Sequence, residues 1–201
     1  MLSPCEPRVR VLTAPTGTDA QRDLESAAEV AKNACEGRAR GLLEERSYVK
    51  ARAAYDDYPA KFAATRAGRW VEDERARILT IAGEYFRDTF DTPARRATAR
   101  HHFDEALSLA DAAARADVPA ATENADQLRR QIRQAQEQFA HDRDAQAAAF
   151  ADLYGSALLA AGAADGVAAS RKLVDGQAAA LPAWDDEIAA LRDDLAVIES
   201  A

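Results

Sequence analysis

Alanine fills 50 of the 201 positions, so of 96 hydrophobic residues only 46 carry a side chain larger than a methyl group. A chain so supplied cannot build a thick core, yet it is well suited to bringing helices close together, because alanine is the strongest helix former and loses no rotamer freedom on burial. The residues that favour sheets are scarce: valine and isoleucine total 14, against 9 glycines and 7 prolines. An all-β or doubly wound α/β fold is thereby excluded and an all-α fold expected, at a length that buries about 70% of the unfolded surface.

Turn signals divide the chain. Pro4, Pro7, Pro15 and Gly17 mark an extended leader over residues 1–18, and Thr18 with Gln21 forms a capping box for a first helix running to about Glu45. Ser47 is placed to cap a short second helix that Pro59 must end near Tyr58. A third helix is expected from about Ala60 to Asp88, and a fourth from Pro93, in the restart Asp91-Thr92-Pro93, to about Arg115. After Asp117-Val118-Pro119 no breaker occurs until Gly155, and Leu128, Ile132, Ala135, Phe139 and Leu153 keep helical spacing. This predicts one long helix over about 119–161, part of an antiparallel hairpin, followed by a turn at 162–166 and a helix over about 167–179. A last helix after Leu181-Pro182 carries Trp184, Ile188, Leu191, Leu195 and Ile198 on one stripe. The segments group as a leader (1–18), helical hairpins (19–116) and a long-helix region (117–201), with Trp70 and Trp184 on apolar faces and expected to be largely buried.

The run Tyr48-x2-Ala51-x3-Tyr55-x2-Tyr58 alternates large and small residues at intervals of three, four and three, and Phe103-x2-Ala106-x3-Ala110-x2-Ala113 repeats the spacing. Over residues 28–116 this resembles the second helix of tetratricopeptide repeats, with Ala39 and Leu42 in the preceding helix where that repeat has a small and a large apolar residue. The two matches lie 55 residues apart, Cys35 stands at a large-residue position, and Arg46-Ser47 replaces the usual Gly-Asp turn. The resemblance implies a non-catalytic superhelical scaffold that offers a groove to a partner protein or peptide.

Charge narrows the partners. A net charge of −8 and a sequence pI near 5.0 speak against nucleic acid, whose binding needs phosphate neutralisation. No run of 18 apolar residues exists to span a bilayer, and the chain as given reads as soluble. Cys5 and Cys35 are too few for a disulfide framework or a zinc site and are read as free thiols. Leu2-Ser3-Pro4-Cys5 resembles the end of a bacterial lipoprotein signal, departing from it at Pro4; where an upstream apolar signal has been removed, the resemblance implies Cys5 as a lipid anchor and a periplasmic or membrane-tethered protein.

Catalytic motifs are missing. No Gly-x-Ser-x-Gly, phosphate loop or Cys-His motif is present, so no enzyme and no cofactor is expected. His101-His102 with Asp104 and Glu105 is the one cluster of metal-ligand types, but without a Glu-x-x-His it reads as solvated helix surface, and no bound metal is expected. Asp185, Asp186 and Glu187 fall in a first helical turn, where the helix dipole favours them.

The most site-like concentration is aromatic and basic: Tyr48, Tyr55, Tyr58, Phe62 and Trp70 beside Arg52, Lys61, Arg66 and Arg69. A second helix too short to cover the third leaves a groove, and Tyr55, Tyr58, Arg66 and Arg69 are the expected partner-binding residues for an acidic segment. The function expected is therefore a protein–protein interaction module, an adaptor or assembly subunit. The alternative is a structural subunit of a homo-oligomer or of an envelope-associated lipoprotein assembly.

Overall fold

The computed structural model describes residues 17–163 and 166–199; Cys5 and most of the expected leader lie outside them. The fold is all-α, with no strand among the described residues. The elements are α1 (Gly17–Glu44), α2 (Tyr48–Ala53), α3 (Arg66–Phe86), α4 (Thr92–Ala99), α5 (Phe103–Ala114), α6 (Ala121–Ala161), α7 (Gly166–Ala178) and α8 (Asp185–Glu199). They form two compact units, one of residues 17–92 with 111–125 and one of residues 93–110 with 126–199.

In the first unit α1 turns Ala28, Cys35 and Ala39 inward, and α3 turns Ala67, Val71, Ile78 and Ala82. Small residues on both helices let them approach, and Tyr48, Tyr55 and Val118 fill the space left over. α2 is six residues long and ends at Ala53, so Tyr55 and Tyr58 sit in the turn after it, not on the helix. Two ion pairs hold that turn: Arg38 Nη1 of α1 to Asp57 Oδ2 at 3.2 Å, and Arg75 Nη2 of α3 to Asp56 Oδ1 at 2.8 Å. Ser47 makes no side-chain cap; instead the amides of Tyr48 and Val49 donate to the Asp117 carbonyl at 3.0 and 3.3 Å.

The third helix begins later than expected. A single 3-10 turn, Ala60–Phe62, precedes it, and Thr65 is its cap, accepting the Gly68 amide at 3.0 Å while donating to the Phe62 carbonyl at 2.6 Å. Here glycine is required by close approach: a Cβ on Gly68 would lie 2.3 Å from the Phe62 carbonyl oxygen. The expected restart at Asp91-Thr92-Pro93 is no loop. α3 passes into a π-turn, Arg87–Asp91, in which the Thr92 amide reaches back to the Arg87 carbonyl, a wider turn that accommodates a proline with no amide to donate.

In the second unit, the continuous helix expected over 93–115 is broken. His102 N donates to Ala97 O at 2.9 Å and His101 N to Thr98 O at 3.0 Å, a Schellman cap in which His101 takes φ 62°, the place glycine usually holds. Phe103, Ala106 and Ala110 of α5 then pack with Leu128 and Ile132 of α6. Towards its other end α6 gives Leu153 and Ala157 to a cluster with Val174 of α7 and Ile188, Leu191 and Leu195 of α8. The buried Ser170 hydroxyl donates to the Ala157 carbonyl at 2.8 Å. α6 and α8 match their expected bounds closely, although Ile198, placed on the buried stripe, is exposed.

Candidate functional site

The four residues expected to meet a partner are not on one surface. Tyr55 is 2% exposed and meets the Trp70 ring edge-on at 6.3 Å, which makes it core and corrects its placement in a groove. Tyr58 is half-buried against Phe62, ring centroids 6.0 Å apart, and its hydroxyl oxygen is buried with no hydrogen-bond partner among the described residues. Arg66 and Arg69, by contrast, are exposed in the first turn of α3. Arg69 Nη1 donates to the Ala64 carbonyl at 3.3 Å and the Arg66 backbone amide to Glu25 Oε2 at 3.3 Å, and the Arg66 guanidinium makes no ion pair or hydrogen bond with another described residue.

Arg66 opens onto a depression of about 320 Å3 lined also by Glu29, Lys32, Ala67 and Trp70. Lys32 Nζ stands 4.7 Å from the Trp70 ring centroid and pairs with Glu29, so the half-buried indole carries one cation over its ring and shares the depression with Arg66. That explains why Trp70 is not fully buried: one face serves α1 and the core, and the rest stays open beside the charges.

Tyr55 reaches a second, smaller cavity of about 220 Å3 shared with Glu36, Arg40, Glu44, Glu74 and Arg77. Burial, reinforced by Glu74 and Glu36, pushes its phenol up to about 12. Arg77 forks onto Glu74, Nε to Oε2 at 2.7 Å and Nη2 to Oε1 at 2.5 Å, and that hydrogen bonding holds the guanidinium pKa above its usual value. The arrangement keeps a neutral phenol beside a paired carboxylate. It has no exposed nucleophile.

A third concavity was invisible to sequence reasoning. A cleft of about 360 Å3 in the second unit gathers Arg100, His101 and His102 from the Schellman turn, Phe139 and Arg143 from α6, and Asp185, Asp186 and Glu187 from α8. Its floor is aromatic: His101 stacks on Phe139 at 3.9 Å and 19°. Arg143 pairs with Glu187 and lies over Trp184, Cζ 4.1 Å from the ring centroid, while Phe150 stacks on Trp184 at 4.3 Å. Trp184 is therefore half-buried beneath a guanidinium, where a largely buried ring was expected. Each group reads as ordinary helix surface in the sequence; a left-handed histidine and residues more than 80 positions away make them neighbours.

Among the described residues no group of three or more His, Cys, Asp or Glu is placed to hold a metal ion, and no helix is long and apolar enough to cross a membrane. No protein-family model matches the chain, and neither a curated protein nor a solved structure is significantly similar to it.

Proposed function

We propose that the chain is a non-enzymatic interaction module whose first unit docks an acidic segment of a partner protein at the start of α3. The observation that carries this reading is the Trp70 indole, partly open under Lys32 and sharing its depression with Arg66, whose guanidinium makes no ion pair or hydrogen bond with another described residue, with Arg69 one turn further on the same helix. Tryptophan and arginine are the residues that supply binding energy most often, and a local cationic strip on an acidic protein selects partners by charge. The docking residues are Lys32, Arg66, Arg69 and Trp70, with the buried Tyr55 ring in edge-on contact with Trp70.

The test uses Trp184→Phe protein, so that Trp70 alone reports, titrated with synthetic peptides in which Asp and Glu alternate with apolar residues. Saturable binding that weakens with added salt and falls at least about fivefold in an Arg66→Ala/Arg69→Ala variant of unchanged melting temperature supports docking. Equal binding of a Lys-substituted peptide defeats it.

A second reading, self-assembly, has its own observation. Near the end of α6, Tyr154, Leu158 and Leu159 are 42%, 48% and 83% exposed, apolar residues on an otherwise nearly uncharged stretch. Sedimentation of the full chain as an oligomer, reverting to monomer in Leu158→Glu/Leu159→Glu, favours it; a monomer at high concentration removes it.

A further inference from the structure

A buried polar group in a folded protein has a hydrogen-bond partner, and one that lacks it leaves a bond for something else to make. Tyr55 is 2% exposed, yet its hydroxyl makes no hydrogen bond with another described residue. The side chain lines the cavity of about 220 Å3 between α1 and α3, with Glu74 and Glu36 near enough to hold the proton on its phenol. A single water needs about 15 Å3, so the space is far larger than a water-sized defect.

The guanidiniums of the cavity are already committed. Arg77 forks onto Glu74, and Arg40 pairs with Glu36 at 3.5 Å. Glu44, at the exposed end of the lining, makes no ion pair or hydrogen bond with another described residue. Three carboxylates thus stand against two guanidiniums, and the excess is negative. Surroundings that oppose a phenolate favour a cation in the same place. Among the described residues no three His, Cys, Asp or Glu are placed to hold a metal ion, so the matching cation is one that brings its own hydrogen-bond donors. A protonated primary amine does so, and the neutral phenol can accept one of its N–H groups while turning its own proton towards a carboxylate. Leu43 supplies an apolar wall for the attached carbon chain. The volume lies below the roughly 300 Å3 at which drug-sized sites begin, which limits the occupant to a few carbon atoms.

We infer that the cavity between α1 and α3 binds a primary alkylammonium group, the Tyr55 hydroxyl oxygen accepting an N–H, Glu36, Glu44 and Glu74 facing the charge, and Leu43 meeting the alkyl chain. The group belongs to a free small amine or to the lysine side chain of a partner. Lys32, Arg66 and Arg69 take no part, so this site and the docking of an acidic segment stand or fall separately.

The experiment uses the full chain with 13C-labelled tyrosine rings. Calorimetry measures affinity, and the ring resonance that is missing from Tyr55→Phe reports contact at this cavity. The probes are n-butylammonium, n-butanol, which lacks the charge, tetramethylammonium, which lacks the N–H donors, and Nα-acetyl-L-lysine N-methylamide. n-Butylammonium is expected to bind saturably and shift the Tyr55 resonance, and n-butanol and tetramethylammonium to bind about tenfold more weakly, the scale of one charged hydrogen bond. Tyr55→Phe, which keeps the ring and loses only the hydroxyl, is expected to weaken n-butylammonium by a similar factor; Glu44→Gln weakens it by up to about fivefold, the scale of an exposed ion pair. Circular dichroism shows whether each variant keeps its helix. Tighter binding of the lysine derivative than of n-butylammonium supports the site with a partner's lysine as occupant, and the reverse order supports it with a free amine. Absence of saturable binding below about 10 mM means that the cavity holds water only and overturns the proposal. So does equal binding of n-butanol or tetramethylammonium, or undiminished binding by Tyr55→Phe.

Discussion

Trp184 Nε1 donates to the backbone carbonyl of Arg143 at 3.3 Å, while the Arg143 guanidinium lies over the Trp184 ring with Cζ 4.1 Å from its centroid. One residue of α6 thus satisfies the polar atom of the indole and covers one of its surfaces. Phe150, further along α6, stacks on the same ring at 4.3 Å, and the Gln146 side chain between them accepts the Ala183 amide at 3.3 Å. Trp184 is the residue that seats the start of α8 on α6.

Trp184→Ala is accordingly expected to cost about 3 kcal/mol, the lower end for a large aromatic because the ring is half-buried. Arg143→Ala costs about 1 kcal/mol through the lost cation–π contact. Urea unfolding followed by circular dichroism measures both. A loss below about 1 kcal/mol for Trp184→Ala would mean that α8 is seated by its aliphatic residues alone.

Glycines in this chain divide into two kinds, and alanine substitution separates them. At Gly68 an added Cβ meets the Phe62 carbonyl oxygen at 2.3 Å and the Ala63 carbonyl oxygen at 2.6 Å, so Gly68→Ala displaces the Thr65 cap and costs about 2 kcal/mol or more. At Gly83 and Gly37, both mid-helix, a Cβ meets nothing within 4 Å, and alanine stabilises by about 0.5–1 kcal/mol. Thermal melts are expected to fall for Gly68→Ala and to rise for Gly83→Ala and Gly37→Ala.

Ala120 has φ 57° and is exposed ahead of α6. Ala120→Gly relieves a left-handed residue and is expected to stabilise by about 0.5–1 kcal/mol, the backbone relief exceeding the added unfolded-state entropy. His101→Gly relieves the same conformation but removes the ring stacked on Phe139, so it is expected to be close to neutral. A gain at His101 equal to that at Ala120 would show that the stack contributes nothing.

Tyr55 supplies a pH dependence. Its phenol is raised from 10.0 to about 12, so the folded state resists ionisation that the unfolded chain undergoes. The associated stability is fully present below pH 10 and is lost as pH rises towards 12, on the order of 2 kcal/mol in all. Tyr55→Phe removes that loss. The urea midpoint of the wild type should fall relative to that of Tyr55→Phe between pH 10 and pH 12, about which the phenols titrate; parallel profiles would place the ionising hydroxyl in solvent.

The long helices were legible because periodicity reports burial directly: Leu128, Ile132 and Leu153 on α6 and Ile188, Leu191 and Leu195 on α8 are the buried residues that their spacing predicts. The breaks were harder. Ser47 resembles a cap, but a carbonyl from Asp117 reaches the amides first, and Thr65, which does cap, follows a 3-10 turn that no residue pattern announces. The turn at His101 carries neither glycine nor proline; tertiary stacking on Phe139 supports a conformation that composition disfavours. For the candidate sites, Arg66 and Arg69 were recognisable as surface residues, whereas the same reasoning misplaced Tyr55, since an aromatic at helical spacing looks alike on either side of a surface. Nothing local links Arg100 with Asp185, and only packing of α8 on α6 gathers them into one cleft.

Among the described residues, 14 of the 31 buried hydrophobic residues are alanines. Unfolding such a core hydrates mainly methyl groups and backbone, so the heat capacity gained per residue falls towards the lower end of the usual range of about 12–15 cal/mol/K. A smaller heat-capacity change gives a shallower dependence of stability on temperature: the folded state is held by less, but over a wider span of warm and cold conditions.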